Sequence, residues 1–240
     1  MRSNAVWPPT APRRTATAML ALVVPLAMFA GCSAGTGTGQ ANPKQTLAAA
    51  KKHLDATSGV RIGLSTGKLP SGVNGLLFAD GVGTHDPAFD GTIKVSAGGI
   101  TADAAVVAVT GKVFAKLPFT SRFVAIDPGD YGAPDPADLM NDQGGLSSLL
   151  TAATDVKPGD QVRQGKTVLS SYTATVPGKA VAAVIPSASS SADFAGTFTL
   201  TDADRLAKAV LRGPFYPKAR DVTYTITLAD YGTKKDITAP

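Results

Sequence analysis

Glutamate is missing from all 240 residues, cysteine occurs once and histidine twice. One cysteine excludes an internal disulfide, so the core alone must hold the fold. All 18 acidic residues are aspartates, which removes a strong helix former, while Ala, Gly and Thr are abundant. The composition therefore leans towards strands and turns. His53 and His85 have no second His or Cys at ligand spacing, so no metal site is expected. Asp202 and Asp204 read as a turn between strands, not a calcium loop. No phosphate-cradling loop or dinucleotide fingerprint appears, so no cofactor is expected. The net charge of +5 owes three units to Arg2, Arg13 and Arg14. The rest of the chain has no Lys/Arg cluster, and nucleic acid is not an expected partner.

What is present begins with the N-terminus. Those three arginines precede an apolar run, Ala18 to Ala30, and no acid appears before Asp55. The run has roughly the length of a signal-peptide core, is too short to span a bilayer comfortably, and carries Pro25. Arg13-Arg14 is taken as part of the basic start, not a twin-arginine signal. The run ends in Phe29-Ala30-Gly31-Cys32, which resembles a bacterial lipobox, although that pattern prefers Leu where Phe29 stands. The resemblance implies cleavage before Cys32 and a diacylglyceryl group on its thiol, with a palmitate-like third chain. Two or three chains should hold a protein on its membrane, whereas one binds only reversibly. Residues 1–31 are thus expected to be a signal peptide and 32–43 a lipidated cysteine with a Gly/Ser/Thr tether. That tether reaches roughly 17–20 Å. Residues 44–240 are expected to form one domain outside the membrane, attached to it and not crossing it.

Within that domain a helix is expected from Lys44 to Ser58, with Leu47, Ala50 and Leu54 on one face and Gly59 as its stop. A strand follows at Val60–Leu64. Gly72 to Asp90, broken by glycines, reads as loop. From Thr92 the period becomes two: Ile93 and Val95, then Ile100 to Val109, then Lys112 to Leu117 with Val113, Ala115 and Leu117 in phase. Tight glycine turns join these into hairpins, and Phe123–Ile126 closes the meander. Asp135-Pro136 opens one helix and Leu146–Ala153 forms another, with Leu146, Leu149 and Leu150 on one side. Lys157-Pro158-Gly159-Asp160 reads as a turn, with strands at 161–164 and 167–176. Residues 178–185 make a small apolar helix. Strands close the chain at 196–201, 205–211 and 221–228; in the last, Val222, Tyr224, Ile226 and Leu228 alternate with threonines.

Gly63-Leu64-Ser65-Thr66-Gly67 fits the G-x-S-x-G nucleophile pattern, but that elbow needs a helix after the serine and Lys68-Leu69-Pro70 gives none. A serine hydrolase using Ser65 is the weakest of three functional readings, and no enzymatic activity is expected. The apolar stripes are the stronger signal. They must bury against helices, and the small Ala102, Ala104, Ala105 and Ala108 leave room for a ligand among them.

The hairpin Ile100–Ala104 with Gly111–Leu117, the Asp135-Pro-Ala-Asp-Leu and Gly145-Leu-Ser-Ser-Leu-Leu150 stretches, and the closing Leu228-Ala-Asp-Tyr-Gly232 resemble the actinobacterial lipoproteins of the LppX/LprA/LprF/LprG type. Members often carry Trp where Tyr231 stands. The resemblance implies an α+β fold: a strongly curved antiparallel sheet, a half-barrel, with helices over its concave face and an apolar cavity between them. Alternation then places Ile93, Val95, Ala104, Val106, Val113, Ala115, Leu117, Leu146, Leu149, Leu150, Ile226 and Leu228 on the cavity wall. The implied function is that of a monomeric, non-enzymatic carrier of acylated glycolipid or triacylglycerol. It would be lipid-anchored on the outer face of the cell membrane, take cargo towards the outer envelope, and have a membrane lipid exporter as partner. A sixteen-carbon chain costs roughly 12 kcal/mol to expose, at ~0.8 kcal/mol per methylene, and an apolar cavity offsets that without any catalytic group. The second reading is an accessory envelope lipoprotein with a closed core, acting through protein partners.

Overall fold

A computed structural model of the protein describes residues 42–240, apart from Phe119, Lys218 and Arg220. The expected signal peptide, Cys32 and the tether to residue 41 lie outside the described residues. Helix α1 (Pro43–Asp55) leads into β1 (Gly59–Thr66), β2 (Gly75–Thr84), β3 (Ala88–Ala97), β4 (Ile100–Val109), β5 (Lys112–Lys116) and β6 (Val124–Ile126). A strap follows, with two short 3₁₀ turns (Pro128–Tyr131 and Pro136–Met140). It reaches α2 (Ser148–Ala152), β7 (Thr154–Gln164), β8 (Thr167–Pro177) and α3 (Gly178–Val184). Strands β9 (Asp193–Leu200), β10 (Leu206–Gly213) and β11 (Val222–Ala229) complete the chain. No described helix is long and apolar enough to cross a membrane.

All eleven strands form one open, curled antiparallel sheet in the order β6-β5-β4-β3-β2-β1-β11-β10-β9-β8-β7. The first half of the chain meanders outward from β1 and the second half meanders inward to β11. The two halves meet at the centre, where Ile62 faces Leu228 and Leu64 faces Ile226.

Pairing carries one set of side chains across the sheet on the same face. One row runs Leu228, Ile62, Gly81, Gly91, Val106, Ala115 and Val124. The next runs Phe198, Ala209, Ile226, Leu64, Ala79, Ile93 and Ala104. We call this the inner face, because α1, α2 and α3 pack on it. Leu47, Ala50 and Leu54 of α1, Leu149 and Leu150 of α2, and Val181 and Val184 of α3 join Phe194, Phe198, Leu211, Tyr224 and Ile226 in the main core. Phe215 lies at its edge, with ring centroids 4.9 Å from both Phe194 and Tyr224. The opposite face carries ion pairs, Arg61 with Asp80 and Lys235 with Asp90, and Ile237 packs there beside Val107 and Val109.

Helix α1 starts where its cap allows. Asn42 accepts the Lys44 N–H at 3.0 Å, and Pro43 fills the first turn, where no amide donor is needed. Its polar side carries a junction. The Lys51 ammonium donates to Asp55 Oδ2 (2.7 Å), to the Asp142 carbonyl (2.7 Å) and to Ser147 Oγ (3.1 Å). One side chain thus ties α1 to the end of the strap. Lys51→Met is expected to lower unfolding stability by about 2 kcal/mol, because it strands three acceptors, one of them a mostly buried carboxylate. Lys51→Met/Asp55→Leu, which removes the stranded charge as well, should recover part of that in urea unfolding. A double variant that loses more than the single one would show that Lys51 does not serve Asp55.

Two segments differ from expectation. Residues 72–90 hold β2 and the start of β3, where a loop was expected. Two of the glycines that suggested a loop, Gly81 and Gly83, are inner-face strand positions. A side chain at Gly81 would meet the Phe89 ring, and one at Gly83 would lie 2.9 Å from Met140 Cγ, so other residues already fill that space. Lys157-Pro158-Gly159-Asp160 is not a turn either. β7 runs straight through it, with irregularities after Thr154 and Pro158. Proline is tolerated because β7 is an edge strand, and the bulges blunt that edge. The two central helices shrink to the 3₁₀ turn Pro136–Met140, capped by Asp135, and the five residues of α2.

Candidate functional site

The expected lining residues of the sheet all project from the inner face, but they fall into three environments. Leu146, Leu149, Leu150, Ile226 and Leu228 belong to the main core beneath α1 and α3. Val106, Val113 and Ala115 form a second, separate cluster with Phe89, Ala108 and Ala137; the last belongs to the second 3₁₀ turn of the strap. Val95, Ala104 and Leu117 belong to neither cluster, and Ile93 packs against the edge of the second. Ala104 is buried, Ile93 and Val95 are half-buried, and Leu117 is 44% exposed.

Around this last group the apolar inner face continues uncovered. Val95 pairs with Ala102 and Ala97 with Ile100, so the same phase carries the face to the end of the β3–β4 hairpin. Ile100 is 73% exposed and Val124, in the row of Ala115, is 40% exposed. Ala102 is half-buried. The result is an uncovered apolar strip on the inner side of β3–β6, hereafter the trough, flanked by Leu76 beside Val95 and by Ala79 beside Ile93. Ile100 and Val124 were not among the expected lining residues, and Ala102 was read from the sequence only as leaving room for a ligand. Extending the alternation from Ala104 back through Ala102 would have reached Ile100.

The boundary between trough and core is built by Phe89 and Met140. The Phe89 ring covers Gly81 and Gly91, where added side chains would strike its Cζ; at Gly91 the separation would be 2.8 Å. Met140 descends from the strap onto Gly83 and Ile62. On the far side of the strap a surface hollow of ≈ 370 Å³ opens between Lys112, Val113, Ile126, Pro128 and Asp135. Burial there pushes the Asp135 carboxyl above its ordinary value, against the opposing effect of the Ala137 N–H that it accepts. A second hollow, ≈ 350 Å³ on the outer face, is lined by Arg61, Asp80, Asp90 and Lys235. Its charges are already paired with one another.

Two polar side chains at the inner face find partners. Tyr224 Oη donates to the Leu76 carbonyl at 2.8 Å and meets Tyr216 Oη at 2.7 Å, and burial pushes its phenol well above the ordinary value. His85 Nε2 lies 2.9 Å from the Leu54 carbonyl, joining the end of α1 to the β2–β3 turn. Ser65 is exposed in the body of β1, facing away from the helices, and the chain continues from it into a loop and β2. The strand–turn–helix of a nucleophile elbow is not formed there.

An antiparallel meander of this order, with short helices on one face, is shared with solved proteins. The sequence profile described as LppX_LprAFG lipoprotein matches residues 42–238, which is nearly the whole described domain. The chain belongs to the LppX/LprAFG lipoprotein family. Two solved structures have this fold. LprF from Mycobacterium bovis aligns with a TM-score of 0.67 at 14% identity, over 82% of this chain and 96% of that one. LppX from Mycobacterium tuberculosis aligns with a TM-score of 0.59, also at 14% identity, over 82% of this chain and 98% of that one. Among curated proteins none matches the sequence. The LppX/LprAFG match begins at the α1 cap, so the family's domain and the described fold are the same unit.

Proposed function

We propose that this domain binds acyl chains of a lipid in the trough on the inner face of β3–β6, and that it carries that lipid as an anchored lipoprotein. The anchor is Cys32, diacylated after removal of residues 1–31, on the outer face of the cell membrane. The cargo is an acylated glycolipid or triacylglycerol bound for the outer envelope, received from or handed to a membrane exporter. The observation that carries this reading is the uncovered apolar continuation of a face that is otherwise sealed: Ile93, Val95, Ile100, Ala102, Leu117 and Val124. Apolar surface left open in a phase set by the core is surface that gains by being covered, at about 25 cal/mol per Å². Membership in a lipoprotein family and the lipobox-like Phe29–Cys32 support it.

Of the twelve expected lining residues, Ile93, Val95, Ala104 and Leu117 are assigned to the resting trough. The dry packing of Leu146, Leu149, Leu150, Ile226 and Leu228 gives them a structural part in forming its wall. Ala102→Trp tests the assignment, because it fills the trough without entering either buried cluster. The full-length protein and this variant are purified from an actinobacterial host and their lipid is extracted and weighed by mass spectrometry. The expected result is a stoichiometric acylated lipid with the parent and at least a tenfold loss in the variant, with unfolding unchanged. A lipid-free parent would remove the carrier reading and favour the accessory lipoprotein. Equal lipid in a folded Ala102→Trp variant would move the site elsewhere.

A further inference from the structure

We propose that the strap between β6 and α2 is a lid on the lipid site, with Met140 as the bolt that holds it shut. The proposal rests on the carrier reading. The open trough spans Ile100 to Ala104 of β4, five residues or about 16 Å of strand. That matches one leaflet's acyl chain, about half of a ~30 Å hydrocarbon core. The same inner face continues under the strap through Val106 and Ala108, beside Ala115 and Val113. It emerges at the ≈ 370 Å³ hollow by Val113 and Ile126. Trough and hollow are therefore two ends of one apolar face, sealed between them by Phe89 and by Ala137 of the strap, with Met140 of the strap beside them over Gly83. Longer or multiple chains need that face.

The strap has the build of a lid. It makes no strand pairing of its own, and it lies between Gly132 (φ +64°) and Gly144 (φ +84°), two left-handed positions that suit glycine. Its apolar contacts with the buried clusters are Ala137, Met140 and the half-buried Leu139, and an unbranched thioether is the side chain best able to leave and refill such a space. Its far end is held by Lys51 through the Asp142 carbonyl and Ser147. Gly83, whose missing side chain admits Met140, is the matching socket in β2.

That socket also supplies the test. The Cβ of any residue at 83 would lie 2.9 Å from Met140 Cγ, the place a cysteine sulfur at 140 would take. With an S–S bond of about 2.05 Å, a disulfide places each Cβ about 3 Å from the partner sulfur, so this spacing suits one. Gly83→Cys/Met140→Cys in the full chain, with Cys32→Ser so that only the new thiols remain, should form a lock. Uptake of a fluorescent sixteen-carbon acyl probe from phosphatidylcholine vesicles is then followed with the lock oxidised and reduced. Oxidation should slow uptake at least tenfold, and dithiothreitol should restore it. Equal uptake in both states overturns the lid and leaves the carrier reading standing. A parent chain that takes up no probe overturns both. Where the cysteine pair folds poorly or stays inactive when reduced, Met140→Ala decides: faster uptake than the parent supports the bolt, and an unchanged rate overturns it.

Discussion

Phe198→Ala is expected to cost the domain about 3–5 kcal/mol, the largest loss from any single truncation considered. Phe198 is 1% exposed and sits in β9 between Ala209 of β10 and Tyr172 of β8. One neighbour in its row is alanine, so nothing large stands ready to fill the vacated space. The removed ring loses its transfer free energy, and the rigid sheet around it leaves a cavity. A domain of ordinary stability has about 5–15 kcal/mol in all, so this variant should sit near its threshold. In thermal unfolding the midpoint should fall by about 6–20 °C. In urea the midpoint should fall with little change in slope, because the surface exposed on unfolding is nearly the same. A loss under 1 kcal/mol would mean that α1 and α3 settle onto the sheet to close the gap. The inner face would then be far softer than its packing indicates.

Gly91→Ala should cost about 3 kcal/mol for the opposite reason, since it adds one methyl group where there is no room. Its Cβ would meet the Asp80 carbonyl, Gly81 Cα at 2.7 Å and Phe89 Cζ at 2.8 Å. Two of these are backbone atoms of the neighbouring strand and cannot swing aside. Overpacking of a tight core typically costs 1–3 kcal/mol, and a clash with backbone belongs at the upper end. The control is Gly67→Ala. Nothing lies within 4 Å of its added carbon, so that change should be neutral or slightly stabilising through the unfolded chain. Parallel urea titrations of the two variants separate crowding from glycine's entropy. Equal effects would show that the inner-face glycines are incidental to the fit of Phe89.

The same glycines mark the limit of what the sequence made legible. Wherever one face could be followed by alternation, as in Ile93/Val95, Val113/Ala115/Leu117 and Val222–Leu228, the strand and its inward side were readable. The register then placed those residues on one face. The α1 helix was readable from its cap, its apolar stripe and the glycine after it. In β2 the alternation vanished because Gly75, Gly81 and Gly83 stand at or beside positions filled by Tyr216, Phe89 and Met140. All but Phe89 come from segments distant in sequence, so only the tertiary fold reveals the fill. Pro158 misled for a related reason: an edge strand has no partner on one side, and only pairing order shows which strand is the edge. As for the site, periodicity gave the inward direction of each lining residue but carried no information on what lies above it. Whether Val106 and Ala104 are roofed or open depends on a strap whose position no local pattern encodes.

The central pairing of β1 with β11 has a consequence for how the protein is made. Of the strands, synthesis makes β1 first and β11 last, with about 155 residues between them. Until the final strand arrives, β1 and β10 are each an unsatisfied edge with apolar side chains beside it. The meander β1–β6 can form early from neighbours in sequence, but its middle boundary stays open throughout synthesis. Pairings of such long range form slowly, and exposed strand edges in the interval invite association with other chains. Completion of the sheet therefore waits for β11, and until then the main core, which draws on both halves of the chain, cannot close.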